Sequence, residues 1–301
     1  MVLVIGEILI DIFPDYERIG GAPFNFACHL KQMGVPVRFF SRVGNDRYGE
    51  RIMNRLESTG FDLTDIQIDP AHATGTVQVA LDADGVPRFA ICEKVAYDYL
   101  DLTGIAANGA ADPAMIYFGS LLQRTDAMQC QVQALLTAKG APVCGFCDIN
   151  MRPPHVNNQA VVESLRHADL LKLNEDELET IQKMFAAPAS EADALHWLME
   201  AFGIRTVALT RGSRGSRLHQ GPTKIELPSE RPPRIVDTVG AGDAFAAVLA
   251  AGLLRGHPLQ ETAALATRFA ARICEIPGAV PDDPCFYDDL KPLMEGACNA
   301  R

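Results

Sequence analysis

The stretch Asp237-Thr238-Val239-Gly240-Ala241-Gly242-Asp243-Ala244-Phe245 runs directly into an apolar helical segment, Ala246 to Leu254. Two glycines at a helix start leave the first-turn N–H groups open to an anion, and the helix dipole adds to the attraction. A phosphate fits such a site, with the amides of Gly240, Ala241 and Gly242 as donors. Asp243 stands one residue inside it, where a carboxylate could take a proton from a nucleophile held against the phosphate. Two other readings of these residues stay open. Asp243 could merely complement the helix dipole while Gly240 and Gly242 serve close packing. Gly240-x-Gly242 also begins like a dinucleotide fingerprint, but Phe245 stands where a third glycine is needed, and no acidic residue closes a clear following strand. The chain contains no GxxxxGK(S/T), which excludes phosphate binding of the P-loop kind.

Other residues offer matching chemistry. Asp11 and Asn25 supply an acceptor and an amide able to grip adjacent hydroxyls of a polyol. Open α/β sheets bind ligands beyond the carboxyl ends of their strands, and Asp11 is expected at the end of the first one. Asn25 could instead cap a helix, and Gly20-Gly21 could form a plain turn or admit a ligand close to the backbone. Arg152 presents a planar five-donor fork suited to sugar oxygens or a phosphate. Asn174 and Glu177 lie one helical turn apart after the run Leu170 to Leu173, so they could face one site and hold Mg²⁺ through waters. The acidic run Glu175-Asp176-Glu177 could equally be a solvated helix start. Thr210, Gly212 and Gly215 read as a loop beside nucleotide phosphates or as a simple turn.

These residues need a frame. Apolar runs bounded by turn residues recur at Val2 to Ile5, Val37 to Phe40, Met115 to Phe118, Val143 to Asp148, Leu170 to Leu173 and Thr206 to Leu209, with helical patterns such as Phe24 to Met33 between them. Short buried strands alternating with helices predict a mainly parallel sheet covered on both faces. The segment Thr74 to Cys92 breaks the rhythm. Two alternating stretches flank Asp82-Ala83-Asp84-Gly85 there, which predicts a β-hairpin projecting from the main sheet as a lid, paired with Ile12 to Ile19.

Composition narrows the classes further. The 301 residues are 48% apolar, enough for a substantial core, and 27 basic against 38 acidic residues give a net charge of −11. That balance argues against nucleic acid or an anionic membrane surface as partner. Glu7 and Asp11 interrupt the first apolar stretch, and no segment reaches the roughly 18 uninterrupted apolar residues of a membrane helix. Eight scattered cysteines fit reduced thiols in the cytoplasm better than a disulfide framework. Cys144 and Cys147 form a CxxC, but inside a strand their side chains face opposite sides. The seven histidines show no metal-ligand spacing, and Trp197 reads as a helix residue packed on the sheet.

Taken in order, the motifs resemble those of the ribokinase-like carbohydrate kinases, the PfkB family, over essentially the whole chain. The run Asp237 to Phe245 is similar to the family's signature around its catalytic aspartate. Gly6-Glu7 with Asp11 and Gly20-Gly21-Ala22-Pro23-Phe24-Asn25 is similar to its sugar-binding segment, in the spelling typical of the fructokinase-like branch. Further landmarks are Arg42-Val43-Gly44-x-Asp46-x-x-Gly49, Asp148-x-Asn150-x-Arg152, Lys172-x-Asn174-x-x-Glu177, Thr210-x-Gly212-x-x-Gly215 and Gly278-Ala279.

The resemblance implies one three-layer α/β/α domain over residues 1–301, with a mainly parallel central sheet and a small β lid built from about 12–19 and 74–92. It implies transfer of the γ-phosphoryl group of ATP to a sugar hydroxyl, D-fructose going to fructose 6-phosphate. The acceptors 2-keto-3-deoxygluconate, ribose or a nucleoside are the alternatives within that class. Asp243 would be the base, Asp11, Gly20, Gly21, Asn25 and Arg152 would hold the sugar, and Asn174, Thr210, Gly212, Gly215 and Thr267 the nucleotide. Mg²⁺ would be reached through Glu177. A monovalent cation such as K⁺ is implied near Asp237 and Gly278, on backbone carbonyls, and a homodimer through lid strands is known among relatives. Two departures stand out: Glu93 occupies a lid position where the fructokinase-like branch often has arginine, and Thr267 stands where asparagine is common near the adenine. More remote alternatives are a sugar sensor without turnover and a nicotinamide-dependent oxidoreductase, for which Gly6-Glu7-Ile8 supplies no fingerprint.

Overall fold

The computed structural model describes residues 1–81, 87–105, 113–140, 142–230 and 232–295. Its main sheet has nine strands in the order β13-β12-β11-β10-β9-β8-β1-β4-β5. These are β1 (Val2–Ile5), β4 (Val37–Gly44), β5 (Ile66–Asp69), β8 (Met115–Phe118), β9 (Cys144–Asp148), β10 (Leu170–Asn174), β11 (Thr206–Thr210), β12 (Ser216–Gln220) and β13 (Thr223–Leu227). Pairing is parallel from β5 to β11, and only β12 and β13 run antiparallel. The six apolar runs read from the sequence are strands of this parallel part, whose seventh strand, β5, no run foretold. The runs are continuous because both faces are covered.

Alternation along β1 shows the layering. Val2 and Val4 pack into one core with α1 (Ala22–Gln32), α7 (Ala241–Leu254) and α8 (Leu259–Ile273). Leu3 and Ile5 pack into a second core with α3 (Asp126–Thr137), α4 (Asn158–His167), α5 (Glu175–Phe185) and α6 (Glu191–Phe202). Cys144 and Cys147 of β9 divide between these cores in the same way, and burial pushes the Cys144 thiol up to about 11 and that of Cys147 well above its ordinary value. Neither is a poised thiolate. Trp197 packs against Phe185 and Phe202 at the edge of the second core.

The first apolar stretch is two strands rather than one. Beyond Gly6 the chain leaves the main sheet and enters a second, four-stranded sheet of order β3-β2-β6-β7, made of β2 (Leu9–Ile12), β3 (Glu17–Gly20), β6 (Thr76–Leu81) and β7 (Pro87–Ile91). The expected projecting hairpin is therefore present as β6 and β7, although its Asp-Gly turn lies outside the described residues. Its partner starts earlier than expected, with β2 running parallel to β6 in the register Asp11 to Val77. Asp11 thus belongs to the small sheet and not to the end of β1. No helix among the described residues is long and apolar enough to cross a membrane.

Candidate active site

Helix α7 starts where the motif placed it. Gly240 is its N-cap at φ 81°, and a Cβ there would stand 2.2 Å from the Ala279 Cβ, so only glycine lets the two segments meet. From Ala244 to Gly252 the helix is buried, packed between α1 and α8. Its N-terminus opens into a cleft of about 1090 Å³ that also takes in the strand ends of β9, β10 and β11. Gly240, Ala241, Gly242 and Asp243 all line it.

Asp243 is held from the opposite helix. Asn25, in the first turn of α1, donates from Nδ2 to Asp243 Oδ2 at 2.8 Å. Burial, and then the charge of Asp148, raise the Asp243 carboxyl to about 6, while Lys172, Asn25 and Arg152 work against the rise. A carboxylate in that range is ionised at neutral pH yet basic enough to accept a proton in a transition state. The Asn25 Oδ1 is buried without a partner, an acceptor left for something in the cleft.

Beneath the helix start lies a pair to which the sequence reading gave no role. Lys172 Nζ stands 3.0 Å and 3.1 Å from the two oxygens of Asp148, which also accepts from Tyr117 Oη at 3.2 Å. Burial works to lower the Lys172 pKa, but the carboxylates of Asp148, Glu177 and Asp243 prevail and hold it above the ordinary value. A Cβ on Gly242 would lie 3.0 Å from that ammonium, so a positive charge stands behind the amides of the helix start. The signal was a lysine inside the apolar run Leu170 to Leu173, since a buried charge requires a partner.

One end of the cleft is rich in carboxyls. Asp11 reaches it from β2, raised to about 6 by burial against the lowering influence of Arg18 and Arg152. Gly20 lies across from Leu9, and a Cβ on it would come 2.4 Å from Asp11 Oδ2, so its bareness gives that carboxylate its room. Glu7, which the sequence reading placed in the sugar-binding segment without giving it a contact of its own, is buried beside them and raised to about 7, chiefly by burial. Gly21 and Asn25 complete this wall, and Arg152, exposed after β9, reaches the same cleft.

The other end is built from loops after β10 and β11. Asn174, Thr210, Gly212, Gly215 and Thr267 all line the cleft. Asn174 caps α5 by accepting from Glu177 N–H at 2.9 Å. The expectation that Glu177 shares this surface is not met: it is buried, with one oxygen accepting from Asn174 N–H at 2.7 Å and the other from Met151 N–H at 2.9 Å. Its neighbours Glu175 and Asp176 face the cleft instead. Among the described residues no three His, Cys, Asp or Glu side chains converge as a metal set. The Thr267 hydroxyl is already bonded to Ala263 O and Ser216 Oγ, each at 2.8 Å. Asp237 lines no part of the cleft; it lies before Gly240 and is bonded to Arg18 of β3 at 3.0 Å.

The sequence profile of the pfkB family of carbohydrate kinases matches residues 1–284 of this chain. The chain belongs to that family. A fructokinase of Klebsiella pneumoniae is 30% identical over 286 residues, 90% of either chain. The crystal structure of an uncharacterised sugar kinase of Pyrococcus horikoshii in complex with ATP is 26% identical, covers 93% of this chain and 94% of its own, and superposes with a TM-score of 0.76. A Vibrio cholerae fructokinase solved with fructose, ADP and calcium ion is 23% identical, covers 95% and 97% of the two chains, and reaches a TM-score of 0.80, a likeness of fold. This pfkB member is thus a carbohydrate kinase, a phosphotransferase with a ribokinase-like α/β architecture.

Proposed function

We propose that this kinase transfers the γ-phosphoryl group of ATP to the primary hydroxyl of D-fructose, giving fructose 6-phosphate and ADP. The observation that carries the reading is the position of Asp243. It stands between the carboxyl-rich end of the cleft and the glycine-rich helix start, its carboxylate oriented by Asn25. In this reading Asp11 and Asn25 hold sugar hydroxyls, with Gly20, Gly21 and Arg152 around them. Three carboxyls, Glu7, Asp11 and Asp243, outnumber the one guanidinium of Arg152 there and so favour a neutral polyol over an anionic acceptor such as 2-keto-3-deoxygluconate.

Asp243 accepts the proton of the attacking hydroxyl as its oxygen bonds to the γ-phosphorus and the bond to the ADP oxygen breaks. The amides of Gly240, Ala241 and Gly242, backed by the Lys172 ammonium, stabilise charge on the transferring oxygens. Mg²⁺, when bound, would neutralise charge on the phosphates, and Asp176 and Glu175, which line this end of the cleft, would hold it through water. Asn174, Thr210, Gly212 and Gly215 border the phosphates, and Thr267 borders the base. The small sheet, which carries Asp11, closes over the sugar and keeps water from the γ-phosphate.

A coupled ADP-release screen over D-fructose, 2-keto-3-deoxygluconate, ribose and nucleosides tests the assignment. D-fructose should give the highest kcat/KM. A higher value with the anionic 2-keto-3-deoxygluconate would overturn the charge argument, and a higher value with ribose or a nucleoside would overturn fructose as acceptor.

A further inference from the structure

The monovalent cation implied near Asp237 and Gly278 does not fit the donors found there. Asp237 Oδ1 accepts from Val239 N–H at 3.0 Å, and Oδ2 accepts from Gly278 N–H at 3.2 Å and from Arg18 Nη1 at 3.0 Å. Both carboxylate oxygens already face N–H donors, one of them fully charged. The guanidinium is held for this contact. It lies 5.1 Å from the ring centre of Tyr16 and 5.8 Å from that of Phe13, two rings stacked on each other in the turn between β2 and β3. A Cβ on Gly278 would come within 3.0 Å of Arg18 Cδ and Nη1, so glycine gives the arginine its seat. The implied cation would rest on backbone carbonyls beside Asp237 and Gly278. With the guanidinium both bonded to the Asp237 carboxylate and packed against Gly278, a free cation there would have to displace Arg18 or sit against like charge.

We propose that Arg18 is a tethered monovalent cation for the loop leading into α7, and that this kinase needs no potassium or sodium ion there. Asp237 opens the segment that ends in Gly240, so its orientation bears on the amides at the helix start. Arg18 and Asp11 are register partners across β2 and β3. One cross-strand pair therefore serves both ends of the reaction, with Asp11 at the sugar and Arg18 at the support of the anion site. Arg18 is a positioning residue that acts through Asp237.

The test compares the parent, Arg18→Gln and Arg18→Lys in chloride salts of potassium, sodium and tetramethylammonium at equal ionic strength and constant Mg²⁺. Initial rates of ADP release under saturating substrates should vary by no more than about twofold across salts for the parent and Arg18→Lys, as expected of a screened surface effect. Arg18→Gln should lose at least about tenfold in tetramethylammonium, through misplaced anion-site donors, and recover severalfold in potassium. Thermal melting in the same salts needs no substrate: only Arg18→Gln should melt higher in potassium than in tetramethylammonium, because only there does a binding site for the ion open. A parent activated tenfold or more by potassium would overturn the proposal. So would an Arg18→Gln variant that matches the parent in every salt, or that is slow and indifferent to the cation in both readouts. The rates rest on the sugar assignment; the melting series decides the cation question even if that assignment fails.

Discussion

Asp243→Asn should abolish most of the turnover while making the protein more stable, and the two effects have separate origins in the structure. The carboxyl is raised from 3.8 to about 6, chiefly by burial. At 1.36 kcal/mol per unit, a shift of about 2.2 units means that the ionised carboxylate costs the native state about 3 kcal/mol, an upper figure for a group that the cleft partly hydrates. Because the folded-state value is raised, the cost is absent below about pH 4, accumulates as pH rises towards 6 and is complete above it. Asparagine keeps the bond from Asn25 through its own oxygen and carries no such cost. Over roughly 300 residues, about 3 kcal/mol corresponds to a rise in Tm of about 5 °C at pH 8, shrinking to nothing near pH 4. Loss of a general base should lower kcat by at least about 10², with both substrates still bound. The assays are ADP release under saturating substrates, calorimetric titration of sugar, and melting curves across pH. Turnover within about tenfold of the parent would remove Asp243 as the base. A variant melting below the parent at pH 8 would refute the desolvation argument.

The remaining expectations concern the frame around that carboxylate. Gly242→Val should leave the fold intact, because the nearest atom to its Cβ is the movable Lys172 Nζ at 3.0 Å, yet cost about 10²–10³ in kcat by blocking the amides. Gly240→Ala should lower both Tm and turnover, since its Cβ would stand 2.5 Å from backbone Cα of Ala279 at a strained φ that alone costs about 1–3 kcal/mol. The kcat/KM profile should lose activity as pH falls through about 6, where Asp243 and its cleft neighbour Asp11 take up protons; a rate unchanged down to pH 5 would contradict the assignment of Asp243 as base. Saturating sugar should slow amide exchange in β6 and β7 of the small sheet, and an unchanged profile would argue against closure.

Six of the seven parallel strands were legible because burial on both faces leaves continuous apolar runs, whereas β5, Ile66-Gln67-Ile68-Asp69 at the sheet edge, left none. The runs Val2 to Ile5 and Met115 to Phe118 coincide with β1 and β8 to the residue. Strands β12 and β13 left no such trace. Their polar members Arg217, Lys224 and Glu226 alternate with buried Leu218 and Ile225, and only the Gly221-Pro222 break between them hinted at a turn. Asp11 was recognised by type but misplaced by one sheet, since the apolar residues Leu9, Ile10 and Ile12 follow β1 closely and nothing local says which neighbours they will pair with. The helix start at Gly240 was legible because glycine spacing and an acid in the first turn are local properties. Pairings made through space were not: Lys172 finds Asp148 across 24 positions and Asn25 finds Asp243 across 218. Glu177 misled for the opposite reason, because one-turn spacing from Asn174 fits a capping box as well as a shared ligand.

The burial of α7 makes a working enzyme hostage to residues far from any substrate. A Cβ on Gly252 would meet Thr262 Cγ2 of α8 at 2.3 Å. Gly252 lies ten residues beyond Gly242, about 15 Å down the same rod at 1.5 Å per residue. A side chain there meets Thr262 in a helix enclosed on both flanks, and overpacking of that kind typically costs about 1–3 kcal/mol. In a drifting lineage, mutations in this apolar interior would therefore register in the yield of folded protein, although every substrate contact remained intact.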